Sequence, residues 1–478
     1  MEVNVSTSSG EGAQILDPRR WLMLVVVLCA SLMSTIDEFI VNVAIPSIER
    51  ELHTSFAEMQ LVVAGYTLVY AVLLVTGGRL GDIYGRKRLF LLGVGLFTLS
   101  SALCGFAPSP LLLIIFRITK GVGAAMMAPQ VVSFIQVGFA PAERPTAFGM
   151  VSAVSGLASV VGQVLGGFLI AANLFGLGWR IIFLVNVPIG LVALLAGMLL
   201  IRESRVETEQ ASLDYGGVAL LSITLFLFVF PIVIGGEAGW PLWSILCLLL
   251  SIPFMLVFLV YEYRRKKRGK LPLVSLSLFR SLRFPSGLIT VLLSSSLFSG
   301  LLFLLAFYLQ TMLHFTPLLS GFVFMASSIS FILASSLSPR VTPRLGVLAL
   351  PLAAVLVTVS YLLTVLAAQF FVPMWGMTPL LVGLFFLGSG MGLLVTPLMH
   401  RTLEGIGTDD VGSASGIYMT VMQLAAALGV AVIGMIFSLW TANTGSPLAG
   451  FVGSLIVTTI LSLLLLITVF PLRRPPTQ

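Results

Sequence analysis

The chain has 478 residues, of which 58% are hydrophobic and only 9% charged, and its mean hydropathy is +1.08. A soluble domain carries about 25% charged residues, so a water-exposed exterior around a single core is excluded. The formal charge of +7 reads as membrane topology rather than nucleic-acid binding, because the basic residues fall between apolar runs.

Residues 1–18 are polar and Ser/Gly-rich, and are expected to form a disordered cytoplasmic N-terminus. Arg19 and Arg20 then precede an apolar run that is too long for a signal h-region and has no small-residue cleavage site. It is expected to stay as a helix. Apolar runs of about 20 residues, each able to cross about 30 Å of hydrocarbon, recur along the chain. They lie at about 21–45, 59–78, 89–106, 110–137, 147–172, 180–201, 215–234, 242–261, 286–313, 319–336, 347–367, 377–398, 414–440 and 450–470. The alternating strands of a membrane barrel are absent. The expected fold is an all-α membrane protein with about fourteen transmembrane helices. On this count about 22 of the 26 Lys and Arg fall on one side of the membrane, whereas Arg50 and Arg180 fall on the other. That asymmetry places both termini in the cytoplasm.

Composition also divides the chain. Six spans (19–201) are followed by a polar linker (202–214) and by two spans without embedded charge (215–261). A long basic cytoplasmic loop (262–284), six more spans (285–470) and a cytoplasmic tail (471–478) complete it. Two six-helix bundles with an inserted helix hairpin are expected. RRKKRGK (264–270) at a cytoplasmic membrane surface should face anionic lipid rather than nucleic acid. Cys29, Cys104 and Cys247 lie in apolar runs and fit no disulfide or metal spacing, and His53, His314 and His400 are scattered. No metal site and no cofactor are expected. No nucleophile–His–acid set, His/Glu metal motif or phosphate-cradling loop points to an enzyme, and Gly121 and Gly123 lack the strand–helix unit of a dinucleotide site.

Charge inside the spans is the most informative feature. An ionised acid at mid-membrane costs about 2.5–3.5 kcal/mol on insertion scales, yet Asp37 and Glu38 both lie in the first run. At 1.5 Å per residue, Asp37 is about 13 Å below the outer end near Pro46. Arg117 and Lys120, in the fourth run, are about 10 and 15 Å below its outer end near Pro110. The two acids and two bases therefore share one layer. Arg117, Lys120, Gly121 and Ala124 fall on one helical stripe, and the small Gly121, Gly123, Ala124 and Ala125 would let another helix approach closely. Glu38 and Asn42 share a face, whereas Asp37 is turned about 100° from Glu38. Two readings remain open. The charges form a static, neutral cluster that fixes packing, or an acid gains and loses a proton as its cation moves. The later spans hold almost no charge. Their polar groups Gln310 and Gln423 stand among aromatic and Met residues such as Tyr308 and Met419. These either line a cavity for a lipophilic ligand or pack in the core.

These residues carry a resemblance. GGRLGDIYGRKR (77–88) is similar to the signature G-x-L-x-D-x-x-G-R-K that follows the second helix in the major facilitator superfamily. The resemblance implies a cytoplasmic gate formed by Gly78, Asp82, Gly85 and Arg86, with GSASG (412–416) as the candidate partner of Asp82. IDEFIVNVAIP (36–46) resembles the first-helix motif L-D-x-T-I-V-N-V-A-L-P of the superfamily's fourteen-helix drug:proton antiporter branch. Asp37 takes the motif's acid position, Glu38 adds a second acid, and Phe39 departs from Thr. RITKGVGAA (117–125) resembles R-x-x-Q-G-x-G-A-A, with Lys120 in place of Gln, and WRIIFLVNVPIG (179–190) resembles the branch's sixth-helix hallmark. GQVLGG (162–167) has Gln163 where the antiporter motif G-P-x-x-G-G has Pro.

The resemblance implies proton-coupled efflux of amphipathic small molecules by alternating access. Asp37 would be the coupling acid, Glu38 its assistant or a substrate counter-ion, and Arg117 and Lys120 would tune it. Asn42, Gln163, Gln310, Tyr308, Gln423 and Met419 would line the substrate cavity. The expected partners are a lipophilic small molecule, protons and membrane lipids, with no nucleic acid. The protein is expected to be a monomer in the plasma membrane. Export of one endogenous lipid or metabolite, a channel, and a non-transporting scaffold or receptor of the same fold are the alternatives.

Overall fold

A computed structural model describes residues 18–140, 143–204, 214–235, 239–268, 273–274, 276–371, 377–404, 406 and 408–473. Among them, the first group of helices is α1 (Arg20–Leu52), α2 (Phe56–Tyr84), α3 (Arg86–Gly105), α4 (Pro110–Gly138), α5 (Arg144–Ala172) and α6 (Gly178–Leu200), the last opening as a 3₁₀ turn. A hairpin follows, α7 (Tyr215–Gly235) and α8 (Leu242–Lys267). The second group is α9 (Arg283–Phe307), α10 (Pro317–Leu345), α11 (Ala349–Leu366), α12 (Thr378–Leu403), α13 (Thr408–Thr444) and α14 (Pro447–Thr468). Among the described residues, thirteen apolar stretches are long enough to cross a bilayer, and one of them, Pro317–Gln369, contains both α10 and α11. The described residues therefore hold the fourteen helices that the apolar runs led us to expect, and no strand.

Local chemistry explains where several helices begin. Ser55 and Glu58 form a reciprocal cap on α2. α4 starts with Pro110 behind a Ser109 cap, and α10 with Pro317 behind a Thr316 cap. The helices also outrun their apolar cores. α1 was expected to end near Pro46 but continues to Leu52. A proline deletes one ladder hydrogen bond, and the buried neighbours Ala44, Ile45 and Ile48 keep the helix packed across it.

Within the first bundle α1 packs on α5 and α6, and α4 packs on α2 and α3; within the second, α12 packs on α10 and α11, and α13 on α9. The bundles meet along two seams, α5 on α10 and α2 on α13, and α7 of the hairpin lies against α2 and α13. Glycines let the first seam close. A Cβ on Gly321 would stand 2.8 Å from the Gln163 carbonyl oxygen, and one on Gly167 would stand 2.5 Å from that of Pro317.

The two faces of the molecule differ. The largest apolar cluster joins Ile36–Ile48 of α1 to α9 and the rest of the second bundle. The other half of α1, Val26–Met33, packs with Phe90, Phe134 and Ala193 of the first bundle. The bundles are thus joined toward the face that carries the α1–α2 loop. There Phe56 meets Phe303, Phe307 and Phe437 at ring separations of 5.3, 5.6 and 5.1 Å.

Candidate functional site

Asp37, midway along α1, is fully buried. Close approach of the helices brings its partners to it. A Cβ on Gly121 of α4 would stand 2.6 Å from the Tyr66 carbonyl oxygen of α2, and one on Gly123 would stand 2.7 Å from the Phe97 nitrogen of α3. Only glycine permits those backbones to touch. α4 therefore presents Arg117 and Lys120 inward, one turn apart, and both are buried.

Arg117 Nη1 donates to Asp37 Oδ2 at 2.6 Å, and Lys120 Nζ donates to Oδ1. Asn186 of α6 donates its Nδ2 to Oδ1 at 3.3 Å. Arg117 also donates through Nε to the Val62 carbonyl oxygen at 2.9 Å. Aromatic faces supply the remaining cation contacts. The guanidinium lies 4.4 Å from the Tyr66 ring centre, and the Lys120 ammonium lies 4.5 Å from that of Phe97 and 5.2 Å from that of Phe183. One carboxylate thus sits between two cations, and the trio carries a formal excess of one positive charge.

Glu38 is the adjacent acid that could balance it. Its side chain is half-buried and makes no hydrogen bond or ion pair among the described residues. The two acids accordingly have different surroundings. Asp37 is enclosed and saturated with donors, whereas Glu38 retains free acceptor capacity. Asn42 is buried on α1 but turns back, donating weakly to the Glu38 carbonyl oxygen at 3.4 Å.

The expected cavity residues do not form one group. Gln163 Oε1 accepts from Ser328 Oγ at 3.2 Å across the α5–α10 seam. Gln310 Nε2 donates to the Val43 carbonyl oxygen at 2.8 Å, linking the end of α9 to α1. Tyr308 instead stacks on Phe451 of α14 at 4.2 Å, inside the second bundle; its buried ring makes it part of that bundle's packing. Met419 is half-buried and Gln423 buried, one turn apart on α13.

At the face that carries the α2–α3 loop, Gly85 ends α2 with a positive φ of 108°, a conformation that favours glycine. Glu203, just beyond α6, caps α3. It accepts from the Lys87 and Arg88 amides at 3.0 and 3.2 Å, and the Arg86 amide donates to the Ser204 carbonyl oxygen at 3.0 Å. A carboxylate at a helix N-terminus is favoured by the dipole as well as by these bonds. Gly78 packs on Pro129 of α4. The Asp82 side chain and much of its candidate partner, 412–413, lie outside the described residues.

Sequence reasoning missed Asn186 and the three aromatic residues. Asn186 had a usable signal, since it lies about 12 Å along α6 from Gly178, in the same layer as Asp37. Tyr66, Phe97 and Phe183 had none, because aromatic residues are frequent in every span. No group of three or more His, Cys, Asp and Glu side chains suited to a metal occurs among the described residues.

The chain is similar to known proteins over most of its length. The sequence profile of the Major Facilitator Superfamily matches residues 27–430. A "Probable actinorhodin transporter" of Streptomyces coelicolor is 36% identical over 429 residues, covering 88% of this chain and 72% of the relative. A "Tetracenomycin C resistance and export protein" of Streptomyces glaucescens is 31% identical over 431 residues, covering 88% and 76%. Among solved structures, a bacterial homolog of the human lysosomal transporter Spinster, inward-facing and occupied, superposes with a TM-score of 0.66 at 15% identity, covering 95% of this chain and 97% of that one.

Proposed function

Because the chain belongs to the Major Facilitator Superfamily, we propose that it is a proton-coupled exporter of amphipathic, antibiotic-type small molecules. The reading rests on one observation: Asp37 is buried between Arg117 and Lys120 where α1, α4 and α6 meet. A proton arriving at Asp37 removes the charge that holds both cations. Arg117 and Lys120 then lose their anion in a site with little water, and the contact between α1 and α4 loosens. Losing the proton restores it. Glu38, half-buried and without an ion pair among the described residues, is where a proton or a cationic group on the substrate first meets the site.

In this reading the face carrying the α2–α3 loop is cytoplasmic, as are both termini, because most Lys and Arg fall on that side. The bundles, joined toward the opposite face, open to the cytoplasm and rock about the α5–α10 and α2–α13 seams. One chain supplies both bundles and works as a monomer, with anionic lipid against its basic loop. The similarity to a transporter and to a resistance and export protein supports efflux over a channel or a scaffold.

The test uses purified protein in liposomes. An imposed pH gradient should drive accumulation of a fluorescent amphipathic substrate, and Asp37→Asn should abolish that drive while leaving substrate binding. Wild-type flux that ignores the gradient would defeat the proposal.

A further inference from the structure

A second group of buried acids lies well away from Asp37, at the root of the α7–α8 hairpin. Asp214, just before α7, and Glu262, near the end of α8, are 6% and 1% exposed. Each commits one oxygen fully. Asp214 Oδ1 accepts from the Gly217 amide at 2.9 Å and from the Tyr261 hydroxyl at 2.8 Å. Glu262 Oε2 accepts from the Leu273 and Val274 amides at 2.7 and 3.2 Å, and so holds the basic loop against the hairpin.

The other two oxygens, Asp214 Oδ2 and Glu262 Oε1, have no hydrogen-bond partner. They converge on one spot, since a methyl group on Gly217 would strike both. Arg265 Nε lies 3.1 Å from Oδ2 and balances one negative charge. Around the pair, among the described residues, α8 also contributes Tyr261 and Lys266, the latter bonded to Ser277 Oγ at 3.1 Å, and α7 contributes Tyr215, whose hydroxyl lies 3.4 Å from that of Tyr84 on α2. Among the described residues no second cation pairs with the other carboxylate, and a buried carboxylate without one is strongly disfavoured. With Arg265 balancing one charge, the two adjacent carboxyl groups reach overall neutrality most simply by sharing a proton.

We propose that Asp214 and Glu262 form a proton-binding site, one hydrogen held between Oδ2 and Oε1, which ties Leu273 and Val274 to the hairpin. When that proton leaves, two facing carboxylates share one guanidinium and the loop is released. The site is separate from the Asp37 cluster, and its test does not depend on transport.

Hydrogen exchange of the full chain in lipid nanodiscs reads it directly. In wild type, protection of the Leu273 and Val274 amides, corrected for the intrinsic exchange rate, should fall as pH rises, by up to about tenfold per pH unit over the range in which the docked loop holds the shared proton and the released loop does not. Glu262→Gln should keep protection flat with pH, because its carboxamide donates to Oδ2 while its carbonyl still accepts both amides. Asp214→Asn should do the same by donating to Oε1, and serves if the first variant folds poorly. Wild-type protection that does not change with pH overturns the proposal. So does protection that follows added sodium at fixed pH, which would assign the site to a metal cation instead.

Discussion

The buried clamp at Asp37 can be tested as a unit by a double-mutant cycle with Lys120. Asp37→Asn leaves Arg117 and Lys120, 1% and 0% exposed, without their anion. Breaking a buried pair in this way costs about 3–5 kcal/mol. In a Lys120→Gln background the outcome differs. Only Arg117 then depends on Asp37, and it keeps the Val62 carbonyl oxygen at 2.9 Å and the Tyr66 face at 4.4 Å. Asp37→Asn should therefore cost less there, and the coupling between the two changes should be about 1–3 kcal/mol, the range for groups in one network. Reversible denaturant titration of the four proteins in detergent measures it, with ligand-free samples at one pH. Additivity within about 0.5 kcal/mol would refute the reasoning, because it would mean that Asp37 does not bind the two cations as one assembly. An Asp37→Asn protein as stable as wild type would refute it more simply.

Two further outcomes follow from geometry. Gly121→Ala would place a methyl carbon 2.6 Å from the Tyr66 carbonyl oxygen; α4 must then retreat from α2, with a loss of about 1–3 kcal/mol in the same titration, and an unchanged midpoint would contradict the close contact. At the start of α5, Arg20 donates to Glu143 at 2.8 and 3.1 Å and thereby holds its carboxyl below the usual carboxylate range. The stabilisation from this pair is complete above the ordinary value of about 4.3 and disappears as pH falls through the lowered one. Arg20→Gln should bring Glu143 back toward that ordinary value, as infrared titration of an isotope-labelled carboxylate would record, and an unmoved titration would exclude the pairing.

Residues whose meaning is local to one helix were readable from the sequence. Each apolar run is close to the length of a span, and the helical rise alone put Asp37, Arg117 and Lys120 at one depth. The glycines of α4 carried their own explanation, because small side chains on a stripe mark a close neighbour. What depended on rotation between distant helices was not readable. Tyr308 and Met419 are equally at home in a cavity or a core, and only the packing shows Tyr308 stacked on Phe451. Glu203 reaches the α3 amides across 116 residues of sequence, a distance at which no capping motif can be recognised. Asp214 and Glu262, 48 residues apart, meet only because α7 and α8 fold back on each other.

The distribution of polar groups bears on how two bundles could move without losing stability. Among the described residues, the polar contacts of Asp37, Arg117 and Lys120 lie within the first bundle. Two hydrogen bonds among the described residues that cross between bundles, Ser328 to Gln163 and Gln310 to Val43, are neutral. A neutral hydrogen bond contributes about 0.5–1.5 kcal/mol net, whereas parting a buried ion pair costs about 3–5 kcal/mol. In the proposed cycle, a rocking motion that breaks only the former would cost little, while the charged assembly would stay intact until a proton reached it. Gln163 fits this division. It stands where the resembling motif has proline, and its hydrogen bond to Ser328 gives the seam a contact that breaks and reforms at small cost without introducing charge.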